Sequence, residues 1–279
     1  MAGETVGTLE YLAQLAMWSF TAFGALLMAM QLVFYLVGFR LGGYRRAHSD
    51  TEPEGVGIIV GGIMALLGFV LALTLSFANS RYDDRRMGTL AESNAIGTAW
   101  LRAEAIGHPR GRAVGELLEQ YIQVRLDYVR ADPAMGTVTN LNARTNALQS
   151  EIWGHVSAIV REQPSPVTAS LMASVNDAFD ATTALRFAFA SRVPNQIFWL
   201  LLGMTMVGIG ALGYQVGLRG KPVRGMVLLL TLTWTAVIIE IVDLASPRIG
   251  SMRTGAVAYE WAQQGMKGGV TIPPAPPPR

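Results

Sequence analysis

Apolar residues crowd into four stretches of the chain, and helical spacing takes over between the second and third. From Gly57 to Phe77 there are 21 residues with no ionisable side chain, enough to span a bilayer as a helix. The run passes into SRYDDRR with no Gly or Pro at the junction. Small residues recur at Gly57, Gly61, Ala65, Gly68, Ala72 and Ser76. Steps of three and four place them on one helix face, the pattern that lets membrane helices approach closely. Phe69, Leu73 and Phe77 form a second, bulky stripe. Either stripe serves helix packing or one of them faces a pore.

The other apolar segments run from about Leu12 to Phe39, Gln196 to Gly217 and Val223 to Leu244. Gln31, near the middle of the first, is expected to hydrogen-bond to another helix, and Trp18 and Tyr35 to favour the two interfaces. Gly203, Gly210 and Gly217, with Gly213 nearby, predict a close-packing face on the third. The short turn LRGKPVR makes the third and fourth an antiparallel hairpin.

Residues Asn79 to Pro194 carry helical periodicity throughout. Gly and Pro punctuation divides them into helices to about Ile106, Arg112 to Arg130, Val138 to Glu162 and Pro166 to Arg192. Ser165 before Pro166 reads as an N-cap. The first of these helices continues the second span as one rod of about 50 residues, and the last leads into the third span. The expected fold is therefore all-α. It is a four-span membrane protein with an antiparallel helical bundle inserted between spans two and three. The predicted parts are residues 1–78, 79–194, 195–246 and a loosely patterned tail, 247–279, ending in a disordered or polyproline-II TIPPAPPPR.

Composition narrows the function. The chain is 51% hydrophobic and 15% charged, against about a quarter charged in soluble domains. A net charge of +2 gives no reason to expect nucleic acid. With no Cys there is no disulfide, thiolate metal site or cysteine nucleophile. His48, His108 and His155 lack metal-ligand spacing, and no hydrolase, phosphate-loop or metalloprotease motif occurs. We expect no enzyme, cofactor or metal. The N-terminus has Glu4 and Glu10 but no basic residue, so the first apolar segment is expected to stay in the mature protein. The two short loops carry Arg40, Arg45, Arg46, Arg219, Lys221 and Arg224, which argues that they are cytoplasmic. The bundle and termini would then lie outside the cytoplasm, although Arg81, Arg85, Arg86, Arg186, Arg192, Arg248 and Arg253 crowd that side too.

Three constellations carry candidate chemistry. Arg81, Asp83, Asp84, Arg85 and Arg86 follow the second span. They form either intrahelical ion pairs or, repeated around an axis, a charged pore mouth. Glu92 and Asn94 precede Gly97, Thr98 and Arg102, a cluster that predicts tight helix contacts with hydrogen bonds. Packing against the Pro166–Arg192 helix would pair Arg81, Arg85 or Arg102 with Asp177 or Asp180. Glu240 and Asp243 share a face near the end of the fourth span. Asp243 is expected at the interface, and Glu240 in an ion pair or a wet vestibule.

The stretches LLGFVLALTLSFANSRYDDRR, ESNAIGTAWLR and VDLASPRIGSMR, in the order two spans, helical insert, two spans, resemble the bacterial bestrophin-like membrane proteins, a family grouped as a domain of unknown function. The resemblance covers about Leu12 to Arg253. It implies kinship with bestrophins, oligomeric anion channels whose second membrane helix lines the pore and carries a bulky apolar neck. Matching Gly68-Phe69 to the bestrophin Gly-Phe puts Ala65 and Gly61 at the other neck positions. Phe69, Leu73 and Phe77 would then be a shifted neck. No acidic calcium clasp follows segment four, so calcium gating is not implied. The expected protein is a homo-oligomeric ion channel of the bacterial inner membrane, with inorganic ions as cargo and the lipid bilayer as its surroundings. The alternative is a membrane-anchored helical scaffold or sensor that binds a partner through its bundle.

Overall fold

A computed structural model describes residues 20–48, 55–132, 136–191, 193–221, 223–248 and 250–271. Trp18 and the rest of the first segment before Phe20, the 49–54 loop with Pro53, Pro133, Arg192 and the Pro-rich end from residue 272 lie outside the described residues. The described secondary structure is helical: α1 Phe20–His48, α2 Val56–Ala105, α3 Pro109–Arg130, α4 Thr137–Glu162, α5 Pro166–Ala190, α6 Asn195–Arg219, α7 Arg224–Ala245 and α8 Val257–Lys267. Among the described residues, four helical stretches are long and apolar enough to cross a membrane. They lie in α1, in α2, within Pro166–Arg219 and in α7.

The boundaries follow the local chemistry. α2 runs for 50 residues without a break. It ends where Gly107 turns to φ +66, a left-handed conformation that suits glycine, just before Pro109. The Nδ1 atom of His108 accepts a bond from the Arg110 amide and caps α3. Ser165 caps α5 in a reciprocal box with Thr168, its Oγ accepting the Thr168 amide at 3.2 Å.

The chain divides into two compact units. One holds residues up to Arg81 together with Arg192–Met252. In it α1 and α6 cross so closely that glycine is required. A Cβ at Gly38 would fall on the Gly210 carbonyl, one at Gly42 on that of Tyr214, one at Gly213 on that of Tyr35, and one at Gly217 on that of Phe39. The buried Gln31 of α1 donates to Thr235 of α7 at 2.9 Å.

The other unit comprises Tyr82–Ser191 and Arg253–Arg279. Its core packs Ile96 of α2, Leu118 and Ile122 of α3, Ile152 and Ile159 of α4, Leu171 and Leu185 of α5, and Tyr259 of α8. The inward faces of α3 and α4 follow the apolar spacing: Leu117, Leu118, Tyr121, Val124 and Tyr128, then Leu148, Ile152, Val156 and Ile159, with Leu141 of the same spacing only half-buried against the core. The stretch read as a loosely patterned tail instead carries α8, whose Ala258, Tyr259 and Met266 are buried. Those residues recur at helical spacing within a helix of only 11 residues.

Candidate functional site

The apolar half of α2 carries three stripes. Val60, Leu67, Leu71, Thr74 and Ala78 are buried within the chain. The small stripe, Gly57, Gly61, Ala65, Gly68, Ala72 and Ser76, is exposed. So is the bulky stripe, with Phe69 61%, Leu73 54% and Phe77 38% exposed. At 3.6 residues per turn the stripes lie about a third of a turn apart. Only 17% of the apolar window of α2 is buried, against 28–39% for the other three. A Cβ added at Gly61, Gly62 or Gly68 would meet nothing within 4 Å. Two thirds of this helix surface is thus left for lipid, water or another copy.

Beyond the apolar window, Asp83, Asp84 and Arg86 are exposed and Arg81 is half-buried. The Arg81 guanidinium stands 4.9 Å from the Phe77 ring centroid, a cation–π contact. Arg85 differs from its expected place at a mouth. It is fully buried, and its Nε donates to Thr254 at 3.4 Å. Helical spacing turns it inward, toward the segment that leads into α8.

The second constellation centres on Glu92, which is fully buried. Arg125 of α3 donates to it through Nε at 2.6 Å. Thr182 of α5 donates to the same oxygen at 2.6 Å, and the Tyr259 hydroxyl of α8 donates to the other. Tyr121 bonds Thr182 at 2.7 Å, and Gln149 of α4 donates to Tyr121 at 2.8 Å. Since Thr182 gives its hydrogen to Glu92, Tyr121 must donate to Thr182. One carboxylate therefore ties α2, α3, α5 and α8 directly, and α4 through Tyr121.

Burial raises the Tyr121 phenol to about 12, with the neighbouring Glu92 charge adding and the Thr182 hydrogen bond opposing. Burial, then Glu92, holds Tyr259 well above the ordinary tyrosine range. Burial works against the Arg125 charge, but Glu92 outweighs it and the guanidinium sits above its ordinary value. Arg125 also lies 4.2 Å from the Tyr128 ring centroid. The arrangement is chemically a lock, with the charged forms of Glu92 and Arg125 and the neutral forms of both tyrosines favouring one another.

The remaining candidates are dispersed. Asn94, Thr98 and Arg102 are exposed, and a Cβ at Gly97 would touch nothing within 4 Å. The tight contacts expected of this block thus belong to Glu92 and its buried neighbours, not to the whole motif. Arg102 donates to the Ser170 carbonyl at 2.8 Å rather than to an acid of α5. Asp180 accepts from Asn176 on its own helix at 2.9 Å, while Asp177 is exposed. Asp243 is buried. It accepts the Ser251 and Met252 amides at 3.2 Å and closes the loop after α7. Glu240 is half-buried with no ion pair among the described residues. Among the described residues no group of three or more His, Asp or Glu could hold a metal.

Arg125 and Tyr259 were not singled out by sequence. A signal existed for Arg125, an arginine in the middle of the apolar face formed by Tyr121, Val124 and Tyr128. None tied Tyr259 to Glu92, 167 residues away.

Comparison with known proteins gives one family. The model of the Bestrophin-like domain matches residues 17–259, most of the chain. Comparison with curated proteins gives no match. Among solved structures, a bacterial bestrophin homologue from Klebsiella pneumoniae, carrying a tryptophan-to-alanine substitution, is similar at a TM-score of 0.70 and 10% identity. The match covers 90% of this chain and 97% of that one. The chain belongs to the Bestrophin-like family and has the fold of that homologue; it is a membrane protein.

Proposed function

We propose that this Bestrophin-like chain is one protomer of a homo-oligomeric ion channel of the bacterial inner membrane. α1, the first half of α2, α6 and α7 are its four spans. The helices from Tyr82 to Ser191, joined by α8, form the bundle inserted between spans two and three. The basic short turns favour a bundle outside the cytoplasm.

The exposed face of α2 carries this reading. An oligomer would turn one exposed stripe toward its axis and the other toward a neighbouring copy or lipid. Phe69, Leu73 and Phe77 would form the constriction, which can oppose ion passage by excluding water. The small stripe would allow copies to approach closely. Arg81, Asp83, Asp84 and Arg86 would line the mouth, with Arg85 withdrawn from it. Both signs of charge are present, so the mouth does not by itself choose between anions and cations.

Reconstitution tests this. The protein is expected to run in detergent as a ring of four or more subunits and to conduct in planar bilayers. Phe69→Ala and Leu73→Ala should each raise conductance several-fold while leaving subunit number unchanged. A monomer, or silence across varied salt and pH, would remove the channel and leave the anchored scaffold.

A further inference from the structure

The corner where α1, α6 and α7 meet carries Arg40, Arg45, Arg46, Arg219, Lys221 and Arg224, all exposed. The glycine crossing brings the ends of α1 and α6 together. A Cβ at Gly42 would fall on α6 at Tyr214 and Leu218, and one at Gly217 on Phe39 and Gly43, so α1 and α6 stay in contact to their last turns. Gly220 then ends α6 in the left-handed conformation, and the Arg46 guanidinium occupies the space a side chain at 220 would fill. That arginine is thereby brought into the turn holding Arg219, Lys221 and Arg224.

The charge is more than the helices themselves require. The C-termini of α1 and α6 each offer about half a negative charge. The 49–54 segment contributes Asp50, Glu52 and Glu54 to the sequence, and its placement lies outside the described residues. Against six cations, these leave a surplus of about two positive charges. Beside the cations lie exposed apolar groups, Leu41 and Tyr44 on α1 and Val223 and Met226 at the start of α7. A cationic cluster edged by apolar surface at a span end suits a lipid better than a soluble anion.

We propose that this corner binds the phosphodiester headgroup of an anionic phospholipid, with Arg45, Arg219 and Arg224 as its principal contacts. The inference rests on reading α1, α6 and α7 as membrane spans. Arg46 is the bridge to the α6 terminus and is left intact in the test.

The test uses the full chain in detergent, probed by native mass spectrometry with phosphatidylglycerol and phosphatidylcholine in equal amounts. Wild type should retain phosphatidylglycerol preferentially, and glycerol phosphate without acyl chains should not displace it. Each of Arg45→Gln, Arg219→Gln and Arg224→Gln should cut the preference by roughly fivefold or less, and the triple replacement should abolish it. Arg112→Gln, Arg144→Gln and Arg161→Gln together change the net charge equally at exposed bundle positions, and should leave it intact. If the triple variant does not fold, the single variants decide. Equal retention of the two lipids by wild type, a preference undiminished in all three single variants or persisting in the triple one, or full competition by glycerol phosphate would overturn the site. A chain released from membranes by alkaline carbonate would instead deny the spans, so the two failures are distinguishable.

Discussion

The two faces of α2 in the membrane half, and the glycine crossing beside them, use similar residues for opposite ends. At the α1–α6 crossing, Gly38, Gly42, Gly213 and Gly217 lie against the partner helix backbone, and no side chain fits there. On the outer face of α2, Gly61, Gly62 and Gly68 meet nothing. The small-residue spacing is alike in both places, so spacing alone does not say whether a stripe is satisfied inside one chain. At Gly61 and Gly68 the open stripe has no packing role within the chain, whereas Gly57 lies close to Gln215. The partners of the open stripe are lipid, water or other copies, and the channel reading rests on that open face.

The largest effects are expected on the inward side of the chain. Glu92→Gln leaves the Arg125 charge buried without its counter-ion, and should destabilise the bundle by about 3–5 kcal/mol. Changing both partners, Glu92→Leu with Arg125→Met, should cost less than Glu92→Gln alone. Thermal unfolding followed by circular dichroism distinguishes the two. A pair that costs no less than the single change would show that the tyrosine and threonine bonds, not the ion pair, dominate.

Glycine replacement sharpens the contrast next. Gly42→Ala drives a methyl into the α6 backbone and should cost about 1–3 kcal/mol or more. Gly61→Ala and Gly68→Ala add methyls to open space. They should leave protomer stability unchanged or raise it by up to about 1 kcal/mol each, since alanine is the better helix former. Their expected effect is on subunit association, read by light scattering in detergent. Equal destabilisation at Gly42 and Gly68 would erase the distinction between the two stripes.

A smaller effect comes from pH. The Tyr121 and Tyr259 phenols are raised above their ordinary value of 10.0, mainly by burial. Their contribution is therefore complete below about pH 10 and is lost as pH rises toward about 12 and beyond. Bundle stability should fall over that window, and Tyr259→Phe should flatten the fall.

Local pattern made most helices legible. The unbroken α2 follows from its lack of breakers, and the Ser165 cap from the residues themselves. The site was less so. Phe69, Leu73 and Phe77 were visible as a stripe, but exposure depends on which faces α1, α6 and α7 cover. Arg85 looked like its charged neighbours, and only the inward turn of the helix separates it from them. Glu92 stood out as a motif residue, whereas its partners Arg125 and Tyr259 lie 33 and 167 positions away. Pairings of that range leave no periodicity in the sequence.

The most direct test of a water-lined α2 face is thiol accessibility. The chain has no cysteine, so single replacements need no altered background. Phe69→Cys, Leu73→Cys and Phe77→Cys, in reconstituted protein, should react with a membrane-impermeant charged thiol reagent and change conductance when they do. Val207→Cys on α6 and Leu229→Cys on α7, also exposed in the protomer, should react at least tenfold more slowly, as expected for side chains facing lipid. Uniformly slow reaction at all five positions would contradict the account and return the bulky stripe of α2 to packing or lipid.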